Sequence, residues 1–139
     1  MIPFDTHSTT DDWSDLFKRA IEAREYAYAP YSHYKVGAAL LTRSGKIYTG
    51  CNIENAGYSS SVCAERTAIF KAVSEGELNF VAIAVATING VAPCGVCRQV
   101  IREFSPNLTI IMGNLEGVYQ ALTLPDLLPH SFGPENLPA

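Results

Sequence analysis

Residues 80–87, FVAIAVAT, form an unbroken apolar segment that ends on a threonine. The segment is far shorter than the ~18 apolar residues that a membrane-spanning helix requires. Its apolar residues follow one another directly instead of alternating with polar ones, which is typical of a strand covered on both faces. We therefore predict that these residues form the central strand of a sheet with helices packed on both sides.

Helical and strand patterns alternate on both sides of this segment. Apolar residues at spacings of three and four predict three helices, at about 13–24, 62–75 and 94–104. Shorter apolar segments predict four further strands, the first two joined as a hairpin, at 35–43, 46–52, 108–112 and 118–122. This interleaving indicates the α/β class, with a three-layer α/β/α sandwich around a mixed sheet of roughly five strands.

The size and charge of the chain narrow the classes of protein it can belong to. Its 139 residues include ten Lys and Arg against fourteen Asp and Glu, a formal net charge of −4. This length suits a single domain over residues 1–139, with loose termini at 1–11 and 133–139. An acidic balance argues against a nucleic-acid partner, because binding to phosphates needs a basic surface.

Neither a membrane-spanning segment nor a signal peptide is recognisable in the sequence. No apolar segment is long enough to cross a membrane, and Met1–Asp15 is polar and acidic where a signal peptide would be basic and then apolar. We therefore expect a cytoplasmic protein that contacts no membrane. Its four cysteines should then stay reduced and be available for metal binding or chemistry.

Three of the four cysteines occupy positions from which they could bind one metal ion. Cys94 and Cys97 form a Cys-x-x-Cys pair at the expected start of one helix, and Cys63 lies at the start of another. Helix N-termini carry partial positive charge and stabilise thiolates. Three thiolates predict a Zn²⁺ site whose fourth position stays open, as in catalytic zinc sites.

The Cys-x-x-Cys pair also has two other interpretations. A thioredoxin-like redox pair would be preceded by a strand and a tryptophan near the start of the chain, and that pattern is missing. A structural zinc site would need a fourth ligand, for which Cys51 is the only spare thiol. Because Cys51 ends an apolar strand, we expect it to be a small buried core residue.

Glu65 lies two residues after Cys63, in the first turn of the same expected helix. A carboxylate there can accept a proton from metal-bound water and deliver it to a leaving group. The helix dipole alone also favours an acidic residue in the first turn, but the neighbouring cysteines favour a catalytic role. The three histidines, His7, His33 and His130, are expected to be exposed or structural.

The residues around these positions resemble the small homotetrameric cytidine deaminases, with the three-cysteine form of the zinc-deaminase signature. The resemblance covers about Ala20 to Phe132, nearly the whole chain. Its motifs are APYS (29–32), VGAAL (36–40), GCNIEN (50–55), CAERTA (63–68) and PCGVCRQV (93–100). The resemblance implies zinc-dependent hydrolytic deamination of cytidine and 2′-deoxycytidine in pyrimidine salvage, by a homotetramer whose active sites are shared between subunits.

The resemblance also implies how the reaction centre is built. It implies one Zn²⁺ per subunit, held by Cys63, Cys94 and Cys97. Glu65 would then be the proton shuttle, and Arg66 would donate to a thiolate sulfur.

The resemblance assigns six further residues to substrate binding. Asn52 and Glu54 would hydrogen-bond the ribose 3′-hydroxyl, and the backbone N–H of Ala64 would contact the base. Tyr34 occupies a position where the family usually has a Phe that stacks near the pyrimidine, so its hydroxyl would need a partner. Tyr58 and Phe132 would approach the pocket of a neighbouring subunit.

The nearest alternatives are zinc deaminases with other substrates, of the blasticidin-S, nucleotide or nucleic-acid-editing type. A nucleotide deaminase needs basic residues near the substrate 5′ end, and no such cluster is recognisable in the sequence. An editing enzyme needs a phosphate-binding face, which the acidic balance does not favour. A small neutral nucleoside therefore fits best.

Overall fold

The computed structural model describes residues 12–138, and a five-stranded sheet forms its centre. Along the chain the strands are β1 (Gly37–Thr42), β2 (Ile47–Cys51), β3 (Phe80–Ala86), β4 (Thr109–Gly113) and β5 (Tyr119–Thr123). Their spatial order is β2-β1-β3-β4-β5, so the apolar strand β3 is the central one. Strand β3 is parallel to β4, and every other neighbouring pair is antiparallel. The predicted mixed sheet of five strands is confirmed.

Helices cover both faces of the sheet, which confirms the three-layer sandwich. They are α1 (Ser14–Arg24), α2 (Ala64–Ser74), α3 (Gly95–Phe104) and the short α4 (Leu124–Leu127). Strand β3 contributes Ala82, Ala84 and Ala86 to the core under α1, and Ile83 to the core under α2 and α3. The strand is apolar throughout because both of its faces are buried.

The register of the central strands places three chain segments at one end of the sheet. Gly37, the first residue of β1, lies opposite Cys51 at the end of β2 and opposite Ala86 at the end of β3. Adjacent strands lie about 4.8 Å apart, so the chain leaves β2 and β3 roughly 10 Å apart at the same end. The two departing segments lead to α2 and α3, and the segment entering β1 lies between them.

The C-terminal segment differs from the expected loose tail at 133–139. Residues Pro134–Asn136 form a 3₁₀ helix, and the Arg102 guanidinium pairs with the Glu135 carboxylate. The same guanidinium donates from Nε to the Ser131 hydroxyl at 2.7 Å. The expected loose N-terminus at 1–11 lies outside the described residues. No helix among residues 12–138 combines the length and hydropathy needed to cross a membrane.

Helix α2 lies unusually close to the edge strand β2, and Gly50 makes this approach possible. A Cβ atom at Gly50 would lie 2.5 Å from the Ala64 carbonyl oxygen and 2.6 Å from the Ala68 amide nitrogen. Both are backbone atoms, so the helix or the strand would have to move to relieve the contact. The position of α2, and of the residues at its N-terminus, therefore depends on having a glycine, which has no side chain, at position 50 of β2.

We predict that Gly50→Ala lowers the free energy of unfolding by about 1–3 kcal/mol, the usual cost of overpacking a core. Urea denaturation followed by circular dichroism measures this change. Gly95→Ala is the matched control, because a Cβ atom there would meet no atom within 4 Å. A Gly50→Ala protein as stable as the Gly95→Ala protein would contradict the close approach of α2 to β2.

Candidate active site

Three cysteine thiols meet where α2 and α3 begin. Cys63 is the N-cap residue of α2 and Cys94 that of α3, and both have extended backbone conformations. Cys97 lies in the first turn of α3 and is buried. The sulfur atoms of all three lie within 4.8 Å of one another, and those of Cys63 and Cys94 are 3.7 Å apart. The structure thus brings together the three cysteines that the sequence singled out.

The spacing of these sulfur atoms suits a tetrahedral zinc ion. Zinc–sulfur bonds of about 2.3 Å at the tetrahedral angle place two sulfur atoms about 3.8 Å apart. The separation between Cys63 and Cys94 is close to this value. Three thiols are the complete ligand set of a zinc site that keeps its fourth position for water or substrate.

Arg66 and the cysteines form one electrostatic group. The Arg66 guanidinium donates from Nη2 to the Cys63 sulfur at 3.2 Å. Hydrogen bonds from the Cys97 thiol and from Arg66 lower the pKa of the Cys63 thiol to about 5, although partial burial acts to raise it. In the Cys97 thiol, the hydrogen bond to Cys63 and burial together raise the pKa. Arg66 Nε is buried and has no hydrogen-bond partner among the described residues.

Glu65 is a buried carboxyl group beside the sulfur atoms. It lies in the first turn of α2, and only 3% of its surface is exposed. Burial raises the pKa of this carboxyl, and the nearby Cys63 thiol acts in the same direction. A raised pKa makes the protonated form of a carboxyl group easier to reach, which favours a role in general acid–base chemistry.

A cleft of about 380 Å³ opens beside these groups. Its volume is within the range of small-molecule binding sites. Predicted residues from three segments line it, namely Tyr34, Asn52, Glu54, Cys63, Glu65, Arg66 and Cys94. Ala64 is fully buried next to Cys63 at the start of α2.

Asn52 and Glu54 form a polar wall of the cleft. Both also hydrogen-bond to the segment that precedes β1. The Asn52 side chain accepts a hydrogen bond from the Val36 amide at 2.9 Å and donates to the Tyr34 carbonyl at 2.8 Å. Glu54 accepts hydrogen bonds from the Ser32 hydroxyl and the Ser32 amide, which lower the pKa of its carboxyl. Glu54 therefore stays ionised and offers acceptor sites to a ligand.

Tyr34 has a partner that the sequence analysis missed. Its hydroxyl donates a hydrogen bond to Asn89 Oδ1, on the segment that follows β3. Thr87, which lines the cleft, donates to the same oxygen at 3.4 Å. The sequence showed only that a tyrosine hydroxyl there needs a partner, and the Asn89-Gly90 dipeptide indicated only a turn.

Tyr58 and Phe132 lie outside the cleft of their own chain. They are 76% and 56% exposed, respectively. The Tyr58 ring packs edge-on against Tyr31, and the Phe132 carbonyl accepts a hydrogen bond from Gln99 Nε2 at 2.9 Å. Both aromatic rings are therefore available to a neighbouring molecule.

Cys51 is not the buried core residue that we expected. It is partly exposed and lines a second cleft at the free edge of β2, together with Thr49 and Lys71. The reason is that β2 is an edge strand, which the helices cover incompletely. Cys51 is also not part of the three-cysteine group. His33 and His130 are exposed, and His7 lies outside the described residues.

Comparison with known proteins identifies relatives over most of the chain. The family model for the cytidine and deoxycytidylate deaminase zinc-binding region matches residues 10–113. A protein named cytidine deaminase from Halalkalibacterium halodurans is 53% identical over 125 residues, which are 88% of this chain and 95% of that protein. One of the same name from Mycobacterium tuberculosis is 38% identical over 129 residues, covering 91% of this chain and 94% of its own length.

Solved structures agree with these sequence comparisons. The crystal structure of cytidine deaminase from Burkholderia pseudomallei is similar to this chain with a TM-score of 0.84 at 46% identity, covering 88% of this chain and 100% of that one. The structure from Mycobacterium leprae has a TM-score of 0.76 at 35% identity, covering 86% and 99%. The chain is therefore an enzyme that belongs to the cytidine and deoxycytidylate deaminase family.

Proposed function

We propose that this enzyme hydrolyses the 4-amino group of cytidine and 2′-deoxycytidine, giving uridine or 2′-deoxyuridine and ammonia. The observation that carries the proposal is that one buried carboxyl group, Glu65, lies beside a three-cysteine group of which Cys63 and Cys94 line the same cleft. The names of relatives as similar as 53% identity support the same reaction. Hydrolysis of an amidine carbon needs an activated water and a proton shuttle, and this cleft offers groups for both.

In this proposal one zinc ion per subunit is held by Cys63, Cys94 and Cys97. The 3.7 Å between two of the sulfur atoms supports that assignment. Zinc held there would make a bound water easier to deprotonate, so that this water could act as the nucleophile toward carbon C4 of the pyrimidine ring. The reaction also needs side chains that offset the negative charge of the ligands and side chains that transfer protons.

Arg66 offsets the negative charge of the ligand set. Three thiolates and one divalent ion sum to a charge of about −1, which works against the ionisation of water. The Arg66 guanidinium donates to the Cys63 sulfur and so withdraws electron density from it. The N-terminal ends of α2 and α3 add partial positive charge at Cys63 and Cys94.

Glu65 carries out the proton transfers. It accepts the first proton released by the attacking water and donates it to ring nitrogen N3, which makes C4 more electrophilic. It then moves the second water proton to the 4-amino group, which leaves as ammonia. Its burial supports this role, because a raised carboxyl pKa brings acceptance and release of a proton closer in energy.

The polar wall and Tyr34 hold the nucleoside. Asn52 and Glu54 hydrogen-bond the ribose 3′-hydroxyl. The Ala64 backbone N–H contacts the base, and the Tyr34 ring packs near the pyrimidine. Among the cleft-lining residues Arg66 is the only basic one, and it is already bonded to Cys63. A cleft with no free cation favours a nucleoside over a nucleotide.

The functional assembly that we propose is a homotetramer whose subunits complete one another's clefts. The exposed rings of Tyr58 and Phe132 support this arrangement, because neither lies in its own cleft. Phe70 of α2 and Val96 of α3 add exposed apolar surface suited to subunit contact. A role in pyrimidine salvage in the cytoplasm follows from the substrate and from the need for reduced thiols.

We predict that the purified protein contains about one zinc per chain and converts cytidine and 2′-deoxycytidine to products that absorb less near 280 nm. Zinc analysis and the absorbance assay should be performed on the same sample, before and after treatment with a chelator. Removal of zinc should abolish turnover, and addition of zinc should restore it. Deamination of cytidine monophosphate without deamination of cytidine would contradict the substrate assignment.

X-ray absorption at the zinc edge provides a check on the ligand set. Three sulfur neighbours and one light atom are expected, since Cys51 is not part of the three-cysteine group. Four sulfur neighbours would instead indicate a closed structural site.

Glu65→Gln should keep zinc and the fold but lower kcat by at least 10²–10⁴-fold, because the amide cannot shuttle protons. Steady-state kinetics on zinc-loaded protein measures this loss. Glu116→Gln, at an exposed loop position, is the matched control and should retain activity. A zinc-loaded Glu65→Gln enzyme with wild-type kcat would exclude the proton-shuttle role.

Phe132→Ala should raise KM for cytidine by roughly tenfold, the effect of removing one aromatic contact from the substrate pocket of a neighbouring subunit. Leu137→Ala, on the same segment and 63% exposed, is the control. Sedimentation of the wild-type protein should show a tetramer. Full activity in a monomeric species would disprove the sharing of active sites.

A further inference from the structure

Two of the three segments that line the cleft are joined by one side-chain hydrogen bond. Tyr34 belongs to the segment before β1, and Thr87 and Val91 belong to the segment between β3 and α3. The Tyr34 hydroxyl donates to Asn89 Oδ1, a contact between residues 55 positions apart in the chain. The Tyr34–Asn89 contact thus links these two segments across the end of the sheet.

The backbone of Tyr34 is held by hydrogen bonds that do not involve its hydroxyl group. The Tyr34 amide donates to the Ser32 hydroxyl oxygen at 3.0 Å, and the Tyr34 carbonyl accepts from Asn52 Nδ2 at 2.8 Å. Asn52 itself also holds the Val36 amide. These bonds hold the backbone and do not involve the Tyr34 side chain, whose hydroxyl bond to Asn89 fixes the far end of the ring.

On the Asn89 side, a second set of bonds fixes the turn. The Thr87 hydroxyl accepts hydrogen bonds from the Gly90 amide at 2.8 Å and from the Val91 amide at 3.2 Å, and it donates to Asn89 Oδ1. Gly90 has a φ of +70°, so the backbone turns sharply there. Asn89 therefore presents its oxygen from a fixed turn, four residues before Pro93 and five before Cys94.

We propose that Asn89 is a positioning residue that sets the orientation of the Tyr34 ring, and through it the affinity of the cleft for the nucleoside. This inference rests on the proposed function. Asn89 is exposed and does not line the cleft, so it acts through Tyr34 and not on the substrate directly. A ring held in one orientation loses less freedom when the substrate binds. The gain is shared by the ground state and the transition state, and so it lowers KM without changing kcat.

The test is a double-mutant cycle on zinc-loaded enzyme. Tyr34→Phe removes only the hydroxyl, and Asn89→Ala removes its acceptor together with the 3.4 Å bond from the Thr87 hydroxyl. Each single variant should raise KM for cytidine by about three- to tenfold, the range expected for one net hydrogen bond, with kcat within about twofold of wild type. The double variant should be no worse than the more affected single variant, because both changes remove the same bond.

Two further variants separate this role from a general loss of structure. Asn89→Asp keeps an acceptor oxygen and should recover most of the KM lost in Asn89→Ala. Tyr48→Phe removes a tyrosine hydroxyl that donates to Glu75 at 3.4 Å, away from the cleft, and should leave both kinetic constants unchanged. Zinc content and melting temperature of all variants are measured in parallel.

The outcomes are distinct for the two proposals. An unchanged KM in Tyr34→Phe, effects that multiply in the double variant, or a loss confined to kcat would each overturn the positioning role. Wild-type turnover of cytidine tests the proposed function separately, because it does not depend on any variant. A wild-type enzyme inactive on cytidine would overturn the proposed function, whereas an active wild type with an unchanged KM in Tyr34→Phe would overturn only the positioning role.

Discussion

The register at Gly37 is the constraint on which the rest of the site depends. Gly37 lies opposite both Cys51 and Ala86. Strands β2 and β3, which flank β1, therefore end at the same level of the sheet. The segments that leave these strands reach α2 and α3 within a short distance of each other, so Cys63 and Cys94 meet. A shift of one residue in this pairing would turn the core side chains of a strand to the opposite face, and burial opposes it strongly.

Electrostatics at this end of the sheet work in two opposite directions. Hydrogen bonds from the Cys97 thiol and from the Arg66 guanidinium lower the pKa of the Cys63 thiol. The N-termini of α2 and α3 also favour ionised sulfur, because they carry partial positive charge. Burial of Glu65 favours its protonated form. The pKa values of neighbouring groups therefore shift in opposite directions, because each group experiences a different local environment.

Sequence patterns predicted the elements that carry strong periodicity and missed contacts between distant residues. The apolar continuity of residues 80–87 correctly indicated the central strand, and the cysteine spacing indicated which thiols meet. The position of Cys51 was wrongly predicted, because an apolar pattern does not show whether a strand lies at the edge of the sheet. The ordered segment Pro134–Asn136 was missed because its partner, Arg102, lies on α3.

The sequence by itself determined the fold class, the three thiols and the family, since these depend on periodicity and on motifs of adjacent residues. Only the tertiary structure decided which walls the cleft has and how they are joined. Tyr34, Asn52 and Asn89 are far apart along the chain, and the strand register brings them to one end of the sheet. Hydrogen bonds between such residues follow from three-dimensional packing, which no local pattern of residues specifies.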